Sequence, residues 1–579
     1  MLSLLLSSRS VLAGLGTALV VAFAPLSDSS TVATGSPQAT VTVDAGSTSP
    51  TLLTLGGALA WASADGTADV HTGVLRPEMV RAVASLGVQA VRFPSGLYSD
   101  CYDWRLGVGP LSRRTYNWTS YGSARCHFWN QGQGFGTDEF MAEVAQLSAL
   151  EHRTVEPIIT VNICSVHAGG TCGGPRGYPD ICPDPSSADL ATGCPGAIIA
   201  AQWVQYLNGA ASTPMGAYRA RFGHAAPYGV HWFELGNETR TEDSPQRPRY
   251  TNIVLAYARA MKAADPSIGI VAQGPCVCPT PPPDTSWESF LLATAGSQIS
   301  AIAPHIYFNG GDATGVVDGY LSRLQAAIAA AGLAGRVRIM PTEWAASDTT
   351  GVPVDDVQRW GDMRAALNDA TDWLAFVRHG VAEAPFFSIH GGPYAMLHCS
   401  VDDPLDDPDR CATPEVAPYP SIPARALRML AQQTGSTTMA TAVSGPVKAA
   451  ATGDPGTLHV DLVNTASTPL TVAVDTLGAA LHGTATLTGM SGSAAAEDLA
   501  RTRAAYPTAA FAVLPRTLAT MPAQAHMVVT LPARSIAVLT MPASAPVGGA
   551  SAAHATGRAP APGPTAVAWP HWYWRIRLS

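Results

Sequence analysis

The chain has 579 residues, of which 47% are hydrophobic and only 13% charged, with 54 glycines, 46 prolines and a formal net charge of -9. That length allows two or three domains, or one large barrel with a smaller module, and the composition is that of a loop-rich globular protein. With 34 basic residues against 43 acidic ones and no basic stripe, nothing supports nucleic-acid binding.

The N-terminus reads as an export signal. Arg9 precedes an apolar run from Val11 to Ala24, and Ala22-Phe23-Ala24 offers small residues for cleavage. Pro25 disfavours a cut there, which moves cleavage into the Ser/Thr/Gly-rich stretch up to Ser36. The alternative is an uncleaved anchor, but the run is short for a membrane span. Ten cysteines in loop-like surroundings favour disulfides and an oxidising compartment. Local bridges Cys101–Cys126 and Cys399–Cys411 are the expected ones; zinc is the weaker rival for Cys276 and Cys278 and for the group from Cys164 to Cys194.

In chain order, Ala39 to Asp44 alternates as a strand does, and Leu52 to Ala60 is an apolar run. Pro77 to Leu86 reads as a helix with Pro in its first turn and Gly87 as its stop. A strand from Val88 to Phe93 follows and runs into Pro94-Ser95-Gly96. Leu97 to Gly136 is a long irregular segment rich in aromatics, suited to sugar stacking or to a small satellite core. Thr137 is read as the cap of the next helix. Strands are then expected at Pro157–Ile163, Val230–Leu235, Ile268–Ala272, Ile299–His305, Val337–Met340 and Pro385–Ile389. Helices are expected between them at Ala197–Leu207, Tyr250–Ala264, Trp287–Thr294, Asp318–Ala331 and Asp355–His379.

That makes about eight strand-helix units over roughly 380 residues, which predicts a parallel α/β barrel or a doubly wound sheet. No Gly-x-Gly-x-x-Gly or Walker pattern follows a strand, which weighs against nucleotide folds. From Thr438 to Met541 the chain turns Thr/Ala/Val-rich with short alternating strands, as in a β-sandwich. The boundaries read are 1–36 for signal and linker, 37–50 for an N-terminal strand joining the sandwich, 51–425 for the barrel, 426–541 for the sandwich and 542–579 for a low-complexity, disordered tail.

Two carboxylates stand beside apolar strands in the same way. Trp232-Phe233-Glu234-Leu235 runs into Gly236-Asn237-Glu238, and Val337 to Met340 runs into Pro341-Thr342-Glu343-Trp344. They are 343 − 238 = 105 residues apart, about three βα units, which brings both to one rim of a closed barrel. Two facing carboxyls are what glycoside hydrolysis requires: one protonates the leaving oxygen, the other attacks the sugar or activates water. Glu234, inside the strand, reads as a structural residue. No His-x-His or His-x-x-x-His pair supports a metal site, and no metal or cofactor is expected.

These motifs resemble clan A glycoside hydrolases, and within them family 51, the α-L-arabinofuranosidases. The resemblance covers most of residues 74 to 345 and includes Val91-Arg92-Phe93-Pro94-Ser95-Gly96, Tyr102 to Pro110, Phe135 to Phe140, Glu156-Pro157, Val161-Asn162, Trp203 to Gly209, His305-x-Tyr307 and Thr342-Glu343-Trp344. It implies a (β/α)8 TIM barrel with a jelly-roll-like C-terminal β-sandwich. It also implies a retaining mechanism with Glu238 as acid/base and Glu343 as nucleophile. Asn237 takes the sugar's 2-hydroxyl, Arg92 positions the nucleophile, Tyr307 bonds it and His305 stands beside; Asn162 and Trp344 also belong to the implied sugar site. A nearby Arg and Tyr are expected to keep Glu343 ionised, and burial to keep a proton on Glu238. The chain departs from the family at two blocks. Leu55 to Trp61 lacks the glutamate that holds arabinose, and Pro94-Ser95-Gly96-Leu97 lacks an amide. The expectation is therefore a secreted retaining glycosidase, foremost an α-L-arabinofuranosidase acting on oligo- or polysaccharide, with no stable membrane insertion after signal removal. A β-xylosidase, β-glucosidase, endoglucanase or β-glucuronidase of the same clan and a carbohydrate-binding pseudoenzyme stay open, as does the oligomeric state.

Overall fold

The computed structural model describes residues 36–59, 67–69, 72–96, 99, 102–114, 134–163, 196–238, 247–277, 284–307, 315–346, 362–390, 395–399, 417–492 and 513–544. The expected export signal, Cys101, Cys126, Cys411 and most of the aromatic loop and tail lie outside them.

The strands are β1 Ala39–Pro50, β2 Thr54–Ala58, β3 Ala90–Phe93, β4 Glu156–Val161, β5 Trp232–Leu235, β6 Gly269–Val277, β7 Ala301–Ile306, β8 Arg338–Ile339, β9 Glu343–Trp344 and β10 Glu383–Phe386. From β2 to β10 they pair in parallel, and a further β6–β7 pairing closes the sheet. β8 and β9 both pair with β7 and are two pieces of one barrel strand, so eight strand positions form the barrel. The expected strand Val337–Met340 thus continues into Glu343. Pro341, with no N–H to give, interrupts the ladder, and Glu343 then resumes it opposite His305.

Helices return the chain between strands. In the first, Pro77–Leu86, Pro occupies the first turn and Gly87 closes the end at φ 76, a conformation glycine adopts without steric cost. Its Met79, Val80, Val83 and Leu86 are buried at helical spacing, each worth about 1.5–3 kcal/mol of transfer free energy. The helix Thr137–Glu151 is capped differently from the sequence reading. Gly136 is the N-cap, and the Glu139 side chain accepts from its backbone N–H at 3.0 Å. A short helix at Pro214–Ala220 was not anticipated. The described part of the helix expected at 355–379 is Met363–Arg378, capped by the Asp362 side chain.

β1 leaves the barrel and lies in a second sheet of ten strands, antiparallel to Thr437–Ser444 and parallel to Leu470–Leu477. This sheet has its own core, including Val41, Val43, Leu458, Val460, Leu462 and Leu539. Its other face contributes Ala450, Val463, Ile536 and Val538 to the barrel's core. The seam is pinned by Arg378, which donates to the Ala449 carbonyl at 2.7 Å.

Inside the barrel one layer is apolar: Ala90, Ile158, Trp232, Val271, Ala301, Ala303, Met340 and Ala382. Strand side chains point the same way every second residue. Two residues further along six of these strands stand Arg92, Thr160, Glu234, Gln273, His305 and Thr342, all buried and all polar. The barrel therefore carries a polar layer directly on its apolar one, toward the C-terminal ends of the strands, where barrel sites form.

Candidate active site

The polar layer is tied together by Arg92, which is 0% exposed. Its Nε donates to Glu234 at 2.6 Å, one terminal nitrogen to Glu343 at 2.9 Å, and the other to the Asn237 amide oxygen at 2.8 Å. Tyr307, one step beyond β7, donates its hydroxyl to the other Glu343 oxygen at 2.6 Å. His305 lies with Nδ1 3.0 Å from Glu238 and 3.7 Å from Glu343.

Glu238 sits in the turn after β5 and has φ 44, in the left-handed region that side chains rarely take. The turn is held because its backbone N–H donates to Gln273 at 3.0 Å. Its side chain is 27% exposed, against 7% for Glu343. One carboxyl faces the solvent side and the other lies deeper. Oxygens of Glu238 and Glu343 and a nitrogen of His305 all lie within 4.8 Å of one another. That trio could also hold a cation, but both Glu343 oxygens are already engaged by the Arg92 and Tyr307 donors, which a metal ligand would have to surrender.

The two carboxyls are pushed in opposite directions. Burial drives Glu343 up, the Glu238 charge adds to this, and His305, Arg92 and Tyr307 do not offset it. Burial also acts to raise Glu238, but the hydrogen bond and charge of His305 bring it below its ordinary value. Burial lowers His305, and the Glu343 and Glu238 charges more than reverse that. Glu343 is thus held above its ordinary value mainly by burial, and Glu238 below its own mainly by the His305 hydrogen bond and charge. These directions are the opposite of those expected from the sequence: burial raises Glu343, and His305, with Nδ1 nearer Glu238 than Glu343, lowers Glu238.

Six of the eight residues singled out from the sequence meet here: Glu238, Glu343, Asn237, Arg92, His305 and Tyr307. Asn162 stands just past the end of β4, two residues on from Thr160. Trp344 is a correction. Its ring packs edge-on against Phe376 and Phe386, and its indole N–H donates to the Ala384 carbonyl at 3.0 Å. Next to an inward Glu343 on the same strand, it must face outward into the helix layer. In the aromatic loop, Trp104 stacks on Trp203 and meets Tyr206, and all three belong to the barrel's main core rather than to a satellite one. Thr160, Gln273 and Thr342 were missed. The signal was the two-residue step from Ile158, Val271 and Met340.

A closed (β/α)8 barrel presenting two carboxyls from strands four and seven, within 4.8 Å, has the layout of barrel glycoside hydrolases. Residues 82–315 match the family described as Alpha-L-arabinofuranosidase 1 domain. The chain is 26% identical over 260 residues to the intracellular exo-alpha-(1->5)-L-arabinofuranosidase of Streptomyces lividans, covering 43% of this chain and 32% of that protein. It is 26% identical over 221 residues to alpha-L-arabinofuranosidase C of Emericella nidulans, covering 38% and 34%. The chain thus spans about a third of the length of these curated relatives. Its fold is shared with the alpha-L-arabinofuranosidase of Thermotoga maritima solved in its arabinose complex, at TM-score 0.64 and 18% identity over 87% of this chain and 99% of that one. The GH51 enzyme of Thermotoga petrophila gives TM-score 0.65 at 17% identity, with the same coverage. In sequence and fold the chain is similar to the family 51 α-L-arabinofuranosidases.

Proposed function

We propose that this chain is a secreted retaining glycoside hydrolase, foremost an α-L-arabinofuranosidase, acting on arabinose-containing polysaccharide or oligosaccharide by double displacement. The observation that carries the reading is the approach of the Glu238 and Glu343 oxygens to within 4.8 Å. Retaining pairs stand about 5–5.5 Å apart, whereas inverting pairs need about 6.5–9.5 Å to admit a water.

The chemistry follows from the donors present. A proton passes from His305 Nδ1 to Glu238 along their 3.0 Å contact, and Glu343 acts in its ionised form. The Glu343 carboxylate, steadied by Arg92 and Tyr307, attacks the anomeric carbon as Glu238 protonates the departing oxygen. The aglycone leaves as an alcohol and the sugar remains as an ester on Glu343. Loss of the Glu343 charge then lowers the proton affinity of Glu238. Glu238 takes a proton from water, the hydroxide adds to the anomeric carbon, and the Glu343 carboxylate departs. The Asn237 amide nitrogen and His305 Nε2 are buried with no hydrogen-bond partner among the described residues, which suits donors awaiting sugar hydroxyls.

Export is supported by the apolar run after Arg9 and by the disulfide bonding of Cys276 and Cys399, which oxidising compartments permit. No helix among the described residues is long and apolar enough to cross a membrane. The test is a panel of aryl arabinofuranosides, xylosides, glucosides and glucuronides, with the product anomer read by NMR. Arabinofuranoside cleavage with retention is the expected result. Inversion would remove the double-displacement step, and cleavage of another glycoside alone would move the chain elsewhere in the clan.

A further inference from the structure

Glu234 takes no part in the bond cleavage above, yet it lies under both carboxyls. It is fully buried, and its two oxygens accept four hydrogen bonds. Arg92 Nε reaches one oxygen at 2.6 Å and the Thr160 hydroxyl reaches the same oxygen at 2.9 Å. Gln273 Nε2 reaches the other at 2.6 Å, joined there by the Thr342 hydroxyl. A carboxylate offers about four acceptor positions; all are used, so the ionised form fits and an O–H would have to face a donor. The donors come from strands two, three, five and seven, and three of them lead on to the reacting groups. Arg92 continues to Glu343 and Asn237. Gln273 accepts from the Glu238 backbone N–H. Thr342 immediately precedes Glu343.

We propose that Glu234 is a positioning residue that sets the pair from below, taking a share of the Arg92 charge that would otherwise fall wholly on Glu343 and, through Gln273, fixing the turn that presents Glu238. The proposal rests on the glycosidase reading of this site. One guanidinium stands 2.6 Å from Glu234 and 2.9 Å from Glu343. At such distances each anion competes for the same cation. Removing the Glu234 charge without removing its bulk leaves Glu343 as the single anion on Arg92 and makes Glu343 more acidic. The other groups facing Glu343 (His305, Tyr307 and Glu238) are untouched by that change. On the Glu234 side the remaining neighbour is the neutral Tyr250 phenol, which accepts from the Gln273 backbone N–H at 2.6 Å. Mere loosening would do the reverse, since a displaced Arg92 stabilises the Glu343 anion less.

The test uses the full chain with Glu234→Gln and with the double substitution Glu234→Gln/Gln273→Glu. In the single variant an amide NH2 must face one of the present donors, and Gln273 cannot turn its own amide without pointing NH2 at the Glu238 N–H. In the double variant a carboxylate at position 273 accepts from both the amide at 234 and the Glu238 N–H. The hydrogen bonds return, but the charge stands one strand further from Arg92. Carbon-13 carboxyl NMR, with Glu343 assigned through Glu343→Gln, reads its titration directly. The expected result is a shift of Glu343 to lower pH by about half a unit or more in both variants. The acid limb of kcat/KM should follow it. A loss of about tenfold or more in kcat is expected in the single variant, from the displaced Glu238 turn, and most of it should return in the double. An unmoved or raised Glu343 titration in the double variant overturns the proposal, as does an unchanged kcat in the single one. Failure of the double variant to fold also counts against it, because every hydrogen bond has been replaced. If the native chain cleaves no glycoside, the glycosidase reading fails while the titration alone still decides the role of Glu234.

Discussion

Arg92 and His305 decide more at this site than the two carboxyls themselves. Arg92 joins Glu234, Glu343 and Asn237 in one buried cluster, and His305 holds Glu238 below its ordinary value while burial keeps Glu343 above its own. The first consequence is a pH dependence. Glu343 must be ionised to attack, and burial raises its pKa above the ordinary 4.5. Activity is therefore lost as pH falls through a value above 4.5, and the acid limb of kcat/KM should lie there; a limb below 4.5 would contradict a raised Glu343. The second is a pair of losses of different character. Glu343→Ala should abolish turnover of every glycoside. Glu238→Ala should cost about 10²–10⁴-fold on alkyl glycosides and far less on aryl glycosides whose leaving group needs no proton, with azide restoring turnover. The third concerns Tyr307, whose hydroxyl holds Glu343 at 2.6 Å. Tyr307→Phe removes one charge-assisted bond of about 1.5–3 kcal/mol, so kcat should drop by roughly 10-fold to 10²-fold with little change in KM.

Strand ends and helix starts are where sequence reading and structure part most clearly. The motif around Glu343 reads as a loop beyond a strand because Pro341 punctuates it, yet β9 resumes the ladder at Glu343 opposite His305. Only the partner strand supplies that information. The same is true of the helix Thr137–Glu151. Thr137 is a favoured capping residue, and a propensity argument selects it, but the cap is Gly136. The reason is a close approach: a Cβ on Gly136 would lie 1.9 Å from the Gly107 carbonyl oxygen, so no other residue fits. Gly136→Ala should accordingly destabilise the fold by about 1–3 kcal/mol or more through overpacking. Thr137→Ala, which loses only a 3.3 Å contact with the Tyr102 hydroxyl, should cost less. Thermal unfolding of the two variants compares them, and equal effects would restore Thr137 as the cap.

The two sheets behave as one molecule through a seam that contains an unusual group. Asp461 is paired in register with Ala450 and Val538, which belong to the barrel's core, so its carboxyl points into the seam. It is 0% exposed and neither oxygen has a hydrogen-bond partner among the described residues. Burial raises its pKa well above the ordinary 3.8, and burial likewise raises Glu143 and Asp369 each to about 8. The folded chain therefore binds these protons more tightly than the unfolded chain. Stability from them is complete below the unfolded values of 4.5 for Glu143 and 3.8 for Asp369 and is lost as pH rises toward about 8. Asp461→Val, of similar volume, removes one titration and two unpartnered oxygens. It should stabilise the chain by about 1–3 kcal/mol at pH 8 and by less at pH 4. Urea unfolding at the two pH values measures this, and a destabilised variant at pH 8 would refute it.

Local order in the sequence determined a good deal. Alternating apolar runs and helical spacing gave the βα repeat, because period and capping are properties of consecutive residues. Two carboxylates after two strands were visible for the same reason. The sequence could not say which way each residue faces, and only the tertiary structure did. Closing the barrel turned Trp344 outward beside an inward Glu343. It stacked Thr160, Gln273 and Thr342 on an apolar layer drawn from strands far apart in the chain. It also brought His305 nearer to Glu238 than to Glu343. The opposite shifts of the two carboxyls depend on those distances and on burial, and both are set by sheet closure and packing, which no single stretch of chain encodes.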